Sequence, residues 1–296
     1  MIWDAWKQAE VPIDHEVAMS LEGAAIAREL DYQAHMALLR QIDACLAVPA
    51  IALKGSLFAC RYYARPSARG TSDIDLLVTE NDLAGAIESL APLGFSVFDS
   101  AEEMAWSRRE HHHLHLTRPG SPDLELHFHA YRGFGVTLRT DTLAQRSVPV
   151  EGFDTLRVPA PEDELVYLAV HAASHRFGRL SWLYDMRLLV ERMSQDALEI
   201  AARRARDWGL SRVLALSGEL LVETLGVLPE VVRPLGTLAR SRRAFVHAVV
   251  VEPRTRVLGS ATRFAYTTML ADSMAASLRY ARTSSVGHAR RLLGLD

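Results

Sequence analysis

Asp73-Ile74-Asp75 runs into Leu76-Leu77-Val78, a segment whose alternation predicts a β-strand. Ile74, Leu76 and Val78 then take one face while Asp73, Asp75 and Leu77 take the other, so the two carboxylates point the same way. Upstream, Ala50-Ile51-Ala52-Leu53 reads as a short apolar strand, Gly55-Ser56 as a turn, and Leu57 to Tyr63 as a short helix stopped near Pro66. Downstream, Glu125 stands in a second strand, Leu124 to His129. Carboxylates on neighbouring strands can hold two divalent cations about 3.5–4 Å apart, one activating an attacking oxygen and the other stabilising a leaving pyrophosphate. A Gly-Ser turn that opens a helix offers a triphosphate its backbone N–H groups, a hydroxyl and the positive end of the helix. Together these residue types suit in-line displacement at phosphorus.

Their order also resembles a known family. Leu53-Lys54-Gly55-Ser56, then Arg69 four residues before Asp73-Ile74-Asp75-Leu76-Leu77-Val78, then Leu124-Glu125-Leu126-His127, look like the nucleotidyltransferase superfamily related to DNA polymerase beta. More narrowly they resemble a group of uncharacterised bacterial nucleotidyltransferase-like proteins. The likeness continues into Pro161-Glu162-Asp163, His171, His175 and Trp182-Leu183-Tyr184-Asp185. The resemblance implies that Asp73, Asp75 and Glu125 bind two magnesium (or manganese) ions and that Gly55 and Ser56 bind the triphosphate. The reaction it implies passes a nucleoside monophosphate from a nucleoside triphosphate to an acceptor and releases pyrophosphate. Glu125 would also take the acceptor proton or position a water that does. The loop from Arg65 to Ser72 makes the gap between Gly-Ser and the first carboxylate longer than is usual in the superfamily. The reading from a different class is a catalytically silent nucleotide-binding or interaction module, antitoxin-like or a partner protein.

Lysine occurs only at Lys7 and Lys54, the other basic residues being arginine, so a lysine directly before Gly55-Ser56 stands out. Lys54 is expected either to contact phosphate or to pair with Asp73 or Asp75 when no metal is bound. Arg69 is expected to clamp a phosphate or to anchor its loop. His127, His171, His175 and Asp185 are candidates for contact with the base or acceptor, the last three if a helical domain closes over the cleft. His111, His112, His113, His115, His127 and His129 crowd imidazole onto two adjacent strands around Glu125, which raises a zinc site as a rival reading. No HExxH motif or cysteine partner accompanies them, and alternation divides the tract between two faces.

The elements that must position these groups are legible from periodicity. Apolar residues from about Val17 to Ala47 recur at helical spacing and predict one long or two short helices ended by Pro49. Thr79 with Asp82 resembles a capping box opening a helix that runs to about Leu93, with Gly94 at a left-handed C-cap. His111 to Thr117 and Leu124 to His129 flank Arg118-Pro119-Gly120-Ser121-Pro122-Asp123, predicting a hairpin about Gly120 that sets His115 near Glu125 and His113 near His127. Pro149, Pro159 and Pro161 mark a boundary, beyond which Glu162 to His175, Leu180 to Met193, Asp196 to Trp208, Arg212 to Leu225 and one or two helices after Pro253 are expected. The fold class is therefore α+β, a nucleotidyltransferase core of mixed sheet with flanking helices followed by an all-helical domain. The predicted divisions are an N-terminal helical segment at 1–48, the core at 49–158 and the helical domain at 159–296.

Composition narrows the setting. A net charge of −3 argues against whole-protein attraction to nucleic acid, which favours a small molecule, peptide or protein as acceptor. The C-terminal arginines Arg240, Arg242, Arg243, Arg254, Arg256, Arg263, Arg279, Arg282, Arg290 and Arg291 read as a solvated face rather than a polyanion site. Cys45 and Cys60, without CxxC spacing, read as reduced, buried thiols. Met1 to Lys7 lacks a secretory pattern, and no run reaches the roughly 18 apolar residues of a membrane span, so a cytoplasmic protein without membrane attachment is expected.

Overall fold

The computed structural model describes residues 12–97, 111–251 and 260–282. Readings that fall on Met1 to Lys7, on Pro253, and on Arg254, Arg256, Arg290 and Arg291 lie outside the described residues. The chain divides into two compact units, Met1–His129 with Ala144–Pro159, and Ala130–Leu143 with Ala160–Asp296.

Among the described residues the first unit opens with α1 (His15–Cys45), a single helix of 31 residues uninterrupted by proline. The Asp14 side chain caps it, accepting from the Glu16 N–H at 2.8 Å. Then come β1 (Ala50–Ala52), α2 (Ser56–Tyr62), β2 (Asp73–Leu77) and α3 (Leu83–Leu90). The Thr79 hydroxyl accepts from the Asp82 N–H and donates to the Asp82 carboxylate at 2.6 Å, so the anticipated box forms between the two side chains and the helix starts after Asp82. A 3-10 turn, Ala91–Leu93, carries α3 to Gly94, whose φ of 86° is the left-handed C-cap.

Strands β3 (Ser96–Val97), β4 (His113–Thr117), β5 (Asp123–His127), β8 (Val148–Pro149) and β9 (Leu156–Val158) complete the first unit's sheet. Its order is β3-β4-β5-β2-β1-β9-β8. The β1–β9 and β2–β5 pairs are parallel and the remaining pairs antiparallel, which makes the sheet mixed. Ile74, Leu76, Leu114, Leu116, Leu124 and Leu126 fill one face of β2, β4 and β5 and join Met36, Leu39 and Ile42 of α1 and Leu83, Ala86 and Leu90 of α3 in one core. The opposite face of these strands is left to carry polar side chains.

Cys60 is exposed and Cys45 half-buried, so the expectation of two buried thiols is corrected. Leu57, Phe58 and Ala59 take the buried side of α2, and the helical turn swings Cys60 outward.

Asp43, in the last turn of α1, reaches the start of β9. Its carboxylate accepts from the N–H groups of Asp154, Thr155 and Leu156, each at 2.8 Å, and from the Thr155 hydroxyl at 2.7 Å. Burial pushes the Asp43 carboxyl up, but these bonds outweigh it and hold the pKa below the ordinary value. The resulting stability is full above the unfolded value of about 4 and is lost as pH falls through the depressed folded one. Asp43→Asn is expected to cost roughly 2–4 kcal/mol at neutral pH. Urea midpoints between pH 2 and 7 check this: the gap between wild type and variant should close toward the acid end.

The second unit begins with a two-stranded sheet, β6 (His129–Gly133) and β7 (Val136–Arg139), with Phe134 and Gly135 both at positive φ between them. After α4 (Thr140–Ala144), the helical part comprises α5 (Pro161–Ser174), α6 (Leu180–Val190), α7 (Gln195–Asp207) and α8 (Ser211–Leu225). It continues with α9 (Pro229–Val232), α10 (Arg240–Val251) and α11 (Ser260–Leu270). Helix α5 is buried along most of its length and packs against α6, α7 and α8. Asp163, fully buried, pairs with Arg204 of α7 at 2.9 Å, and that guanidinium lies over the Trp208 ring. Asp272 caps α8 from outside, accepting from the N–H groups of Ser211 and Arg212. Of the arginines expected on a solvated face, Arg240, Arg243, Arg263, Arg279 and Arg282 are exposed; Arg243 pairs with Glu219 and Glu223, Arg242 donates to the Met269 carbonyl and Arg279 to that of Gly135. No helix among the described residues is long and apolar enough to cross a membrane.

Candidate active site

The polar face of the sheet is organised by strand register. In the parallel β2–β5 pair Asp73 lies opposite Asp123, Asp75 opposite Glu125 and Leu77 opposite His127. In the antiparallel β4–β5 hairpin His115 lies opposite Glu125 and His113 opposite His127, the pairing that a turn about Gly120 predicts. Because directly opposed residues share a face, Asp75, Glu125 and His115 form one row across three strands, and His127 and His113 lie in the next.

Lys54 is aimed at this face by the end of β1. The Leu53 N–H donates to the Asp75 carbonyl at 3.2 Å, which keeps the chain beside β2, and the next residue places its ammonium over the aspartates. Lys54 Nζ lies 3.1 Å from Asp73 Oδ2 and 2.5 Å from Asp75 Oδ2. The shorter contact is a close ion pair. Burial pulls the Lys54 ammonium down, yet the charges of Asp75 and Asp73 outweigh it and the net direction is up.

His127, 3% exposed, sits between Asp75 and Glu125. Its Nε2 is 3.1 Å from Asp75 Oδ1 and 3.4 Å from Glu125 Oε2. Burial disfavours the imidazolium, but the bonds to Asp75 and Glu125 raise its pKa above the ordinary value. Reciprocally, burial would raise Asp75 and Glu125, and the His127 hydrogen bond and the nearby cations hold both down, Glu125 to about 2. His113, desolvated and beside His127, is pushed down to about 4 and is neutral at physiological pH. The Lys54 ammonium and the His127 ring thus lie across three carboxylates.

Gly55 has φ 83° at the N-cap of α2, a conformation that side-chain-bearing residues rarely adopt. An added Cβ would also lie 3.3 Å from Thr71 Cγ2. Gly55→Ala is expected to destabilise the fold by about 1–3 kcal/mol, read as a lowered denaturation midpoint. Ser56, the first residue of α2, is buried. Arg69 is also buried, donates to the Thr71 hydroxyl at 3.0 Å and stacks its guanidinium over Phe58. It therefore ties its own loop to α2.

His171 and His175 lie in the second unit, their rings 5.0 Å apart between centroids and each 5.2 Å from Trp182. Asp185, on α6, is fully buried.

Among the described residues, three groups of side chains could each hold a metal ion, having ligand atoms within 4.8 Å of one another: Asp75, Glu125 and His127; His113, His115 and Glu125; and His112, His113 and His127. The oxygen donors of Asp73, Asp75 and Glu125, already in contact with the Lys54 ammonium and the His127 ring, fit hard divalent cations. Asp73 joins them through the ammonium it shares with Asp75.

A mixed sheet bearing an Asp-x-Asp strand, a parallel neighbour with a third carboxylate and a Gly-Ser turn alongside is the architecture of a nucleotidyltransferase-like enzyme. Residues 1–226 match the family described as "uncharacterised nucleotidyltransferase". The chain belongs to that family, which is related to the DNA polymerase beta-type nucleotidyltransferase superfamily. No curated protein matches the chain. Among solved structures, it is similar to the solution structure of the antibiotic-resistance factor ANT(2'')-Ia, at 13% identity and a TM-score of 0.41, over 58% of this chain and 91% of that one.

Proposed function

We propose that this protein is a metal-dependent nucleotidyltransferase that moves a nucleoside monophosphate from a nucleoside triphosphate to an acceptor. The observation that carries this reading is the register of Asp75 against Glu125 on parallel strands, with Lys54 closing from the Gly-Ser turn onto Asp73 and Asp75. Gly55 and Ser56 bind the phosphates, with Lys54 and Arg69 as further contacts to the nucleotide. Magnesium or manganese held by Asp73, Asp75 and Glu125 would supply charge neutralisation at the phosphates. An acceptor oxygen or nitrogen attacks the α-phosphorus, the bond to the bridging oxygen breaks and pyrophosphate leaves. Glu125 takes the acceptor proton or positions a water that receives it. His127 orients Asp75 and Glu125. His171, His175 and Asp185 are the second unit's proposed contacts to base or acceptor. The acceptor is a small molecule, peptide or protein, and the setting is cytoplasmic.

The test is label transfer from each α-labelled nucleoside triphosphate, with magnesium or manganese and cell extract. Label on an acceptor, absent in the Asp73→Asn/Asp75→Asn variant, would support the reaction and deliver the acceptor for identification. No label in any mixture, with no triphosphate binding in calorimetry, would move the reading to a silent interaction module.

A further inference from the structure

We propose that His113, His115 and Glu125 form a second kind of metal position, selective for a borderline first-row divalent cation with zinc as its chief representative. This goes beyond the transfer reaction, since such a site would bind its ion whether or not the chain turns over. The hairpin register brings the three side chains to one face, His115 directly opposite Glu125 and His113 two residues along the same strand. Their ligand atoms lie within 4.8 Å of one another. His113 Nε2 faces His115 Nε2 at 3.2 Å. Two nitrogens that far apart, each about 2.0–2.1 Å from one ion, would subtend about 100° at it, close to a tetrahedral angle. Without an ion the same approach is a hydrogen bond between the rings, one donating and one accepting.

The donor set decides which cation fits. Two imidazoles and one carboxylate suit zinc and its first-row neighbours, whereas magnesium prefers oxygen and gives up its water reluctantly. Asp73 and Asp75 offer oxygen alone and have Lys54 between them. Glu125, between the two donor sets, belongs to both. The rival group of His112, His113 and His127 is left His127 Nδ1, its Nε2 being engaged by Asp75 and Glu125, and it has no carboxylate to offset the charge of an ion. His115 is exposed and so opens the position to solvent, while His113 is half-buried.

The experiment titrates the metal-stripped full chain with Zn²⁺ by calorimetry and with Co²⁺ by visible absorption, nucleotide being absent. The proteins are wild type, His115→Ala, His112→Ala and Asp73→Asn, each checked for fold by circular dichroism. His115→Ala changes an exposed side chain, and Asp73→Asn leaves Lys54 its contact with Asp75. The expected result is one equivalent of Zn²⁺ in wild type, with cobalt absorption typical of low coordination. His115→Ala should weaken binding at least about 100-fold, since losing a ligand costs more than the roughly 10–100-fold of losing an outer partner. Asp73→Asn and His112→Ala should bind as wild type does. Absence of stoichiometric Zn²⁺ in wild type, or equal affinity in His115→Ala, would overturn the site. So would a loss in His112→Ala or Asp73→Asn as large as that in His115→Ala, because the ion would then belong to another group. Zinc binding that follows the expected pattern in a chain that neither transfers label nor binds triphosphate would refute the reaction and leave this site standing.

Discussion

Asp75→Asn is expected to lower nucleotidyl transfer by at least about a thousandfold, equivalent to about 4 kcal/mol of transition-state stabilisation. Asp75 stands at the centre of the polar face: one oxygen is 2.5 Å from Lys54 Nζ, the other 3.1 Å from His127 Nε2, and its strand partner is Glu125. Asparagine keeps the size of the side chain while removing the charge that a divalent cation needs. The same change leaves Lys54 to Asp73 and His127 to Glu125, so about 1–3 kcal/mol of fold stability should be lost as well. Circular dichroism and a thermal midpoint separate the two effects, because a folded variant that has lost transfer has lost chemistry. Single-turnover rates with saturating triphosphate then show whether the loss lies in the bound complex. A folded Asp75→Asn protein that transfers label at the wild-type rate, with unchanged metal dependence, would remove Asp75 from the reaction.

What made this face legible in the sequence was local. Period-two alternation in Asp73 to Val78 puts both aspartates on one side, and a glycine-centred turn with apolar strands either side sets the β4–β5 register without any long-range information. What escaped was non-local or short. Strand β9 pairs with β1 across about a hundred residues of chain, Ala50 against Leu156, and its three residues carry too little pattern to show alternation. Strands β6 and β7 and helix α10 were not anticipated either. Asp43 reads as an ordinary helical residue, because the groups it holds lie at Asp154, Thr155 and Leu156. Lys54 was ambiguous for a different reason. A lysine before a Gly-Ser turn serves a phosphate or a carboxylate equally well by type, and only the Leu53 to Asp75 backbone bond places it over the aspartates. The histidine tract shows the reverse: alternation puts His113 and His115 on one face, but His112 does not go to the other, its ring centroid lying 4.7 Å from that of His113 and 5.5 Å from that of His127, and it is the pairing of two strands that sets His115 against Glu125.

Lys54→Met should tighten metal binding and slow transfer in the same protein, and the opposed signs make it the more discriminating substitution. With its side chain 10% exposed, Lys54 holds an ammonium within 3.1 Å of both Asp73 and Asp75, so a cation entering between those carboxylates must displace it. Removing that competitor is expected to lower the Kd for Mn²⁺ at least about tenfold, or about 1.4 kcal/mol. Without metal, however, Asp75 is left 2% exposed with His127 as its remaining partner, and breaking a buried pair from one side costs roughly 3–5 kcal/mol. The metal-free variant should therefore melt well below wild type, and Mn²⁺ should raise its midpoint by more than it raises that of wild type, since ligand binding to the folded state stabilises it by mass action. If the displaced ammonium moves to the triphosphate, transfer falls roughly a hundredfold despite the tighter metal, because a charge-assisted contact to the phosphates has gone. Tighter Mn²⁺ with unimpaired transfer would make Lys54 a counter-ion of the resting state alone, and unchanged Mn²⁺ affinity would mean that the ion does not enter between Asp73 and Asp75.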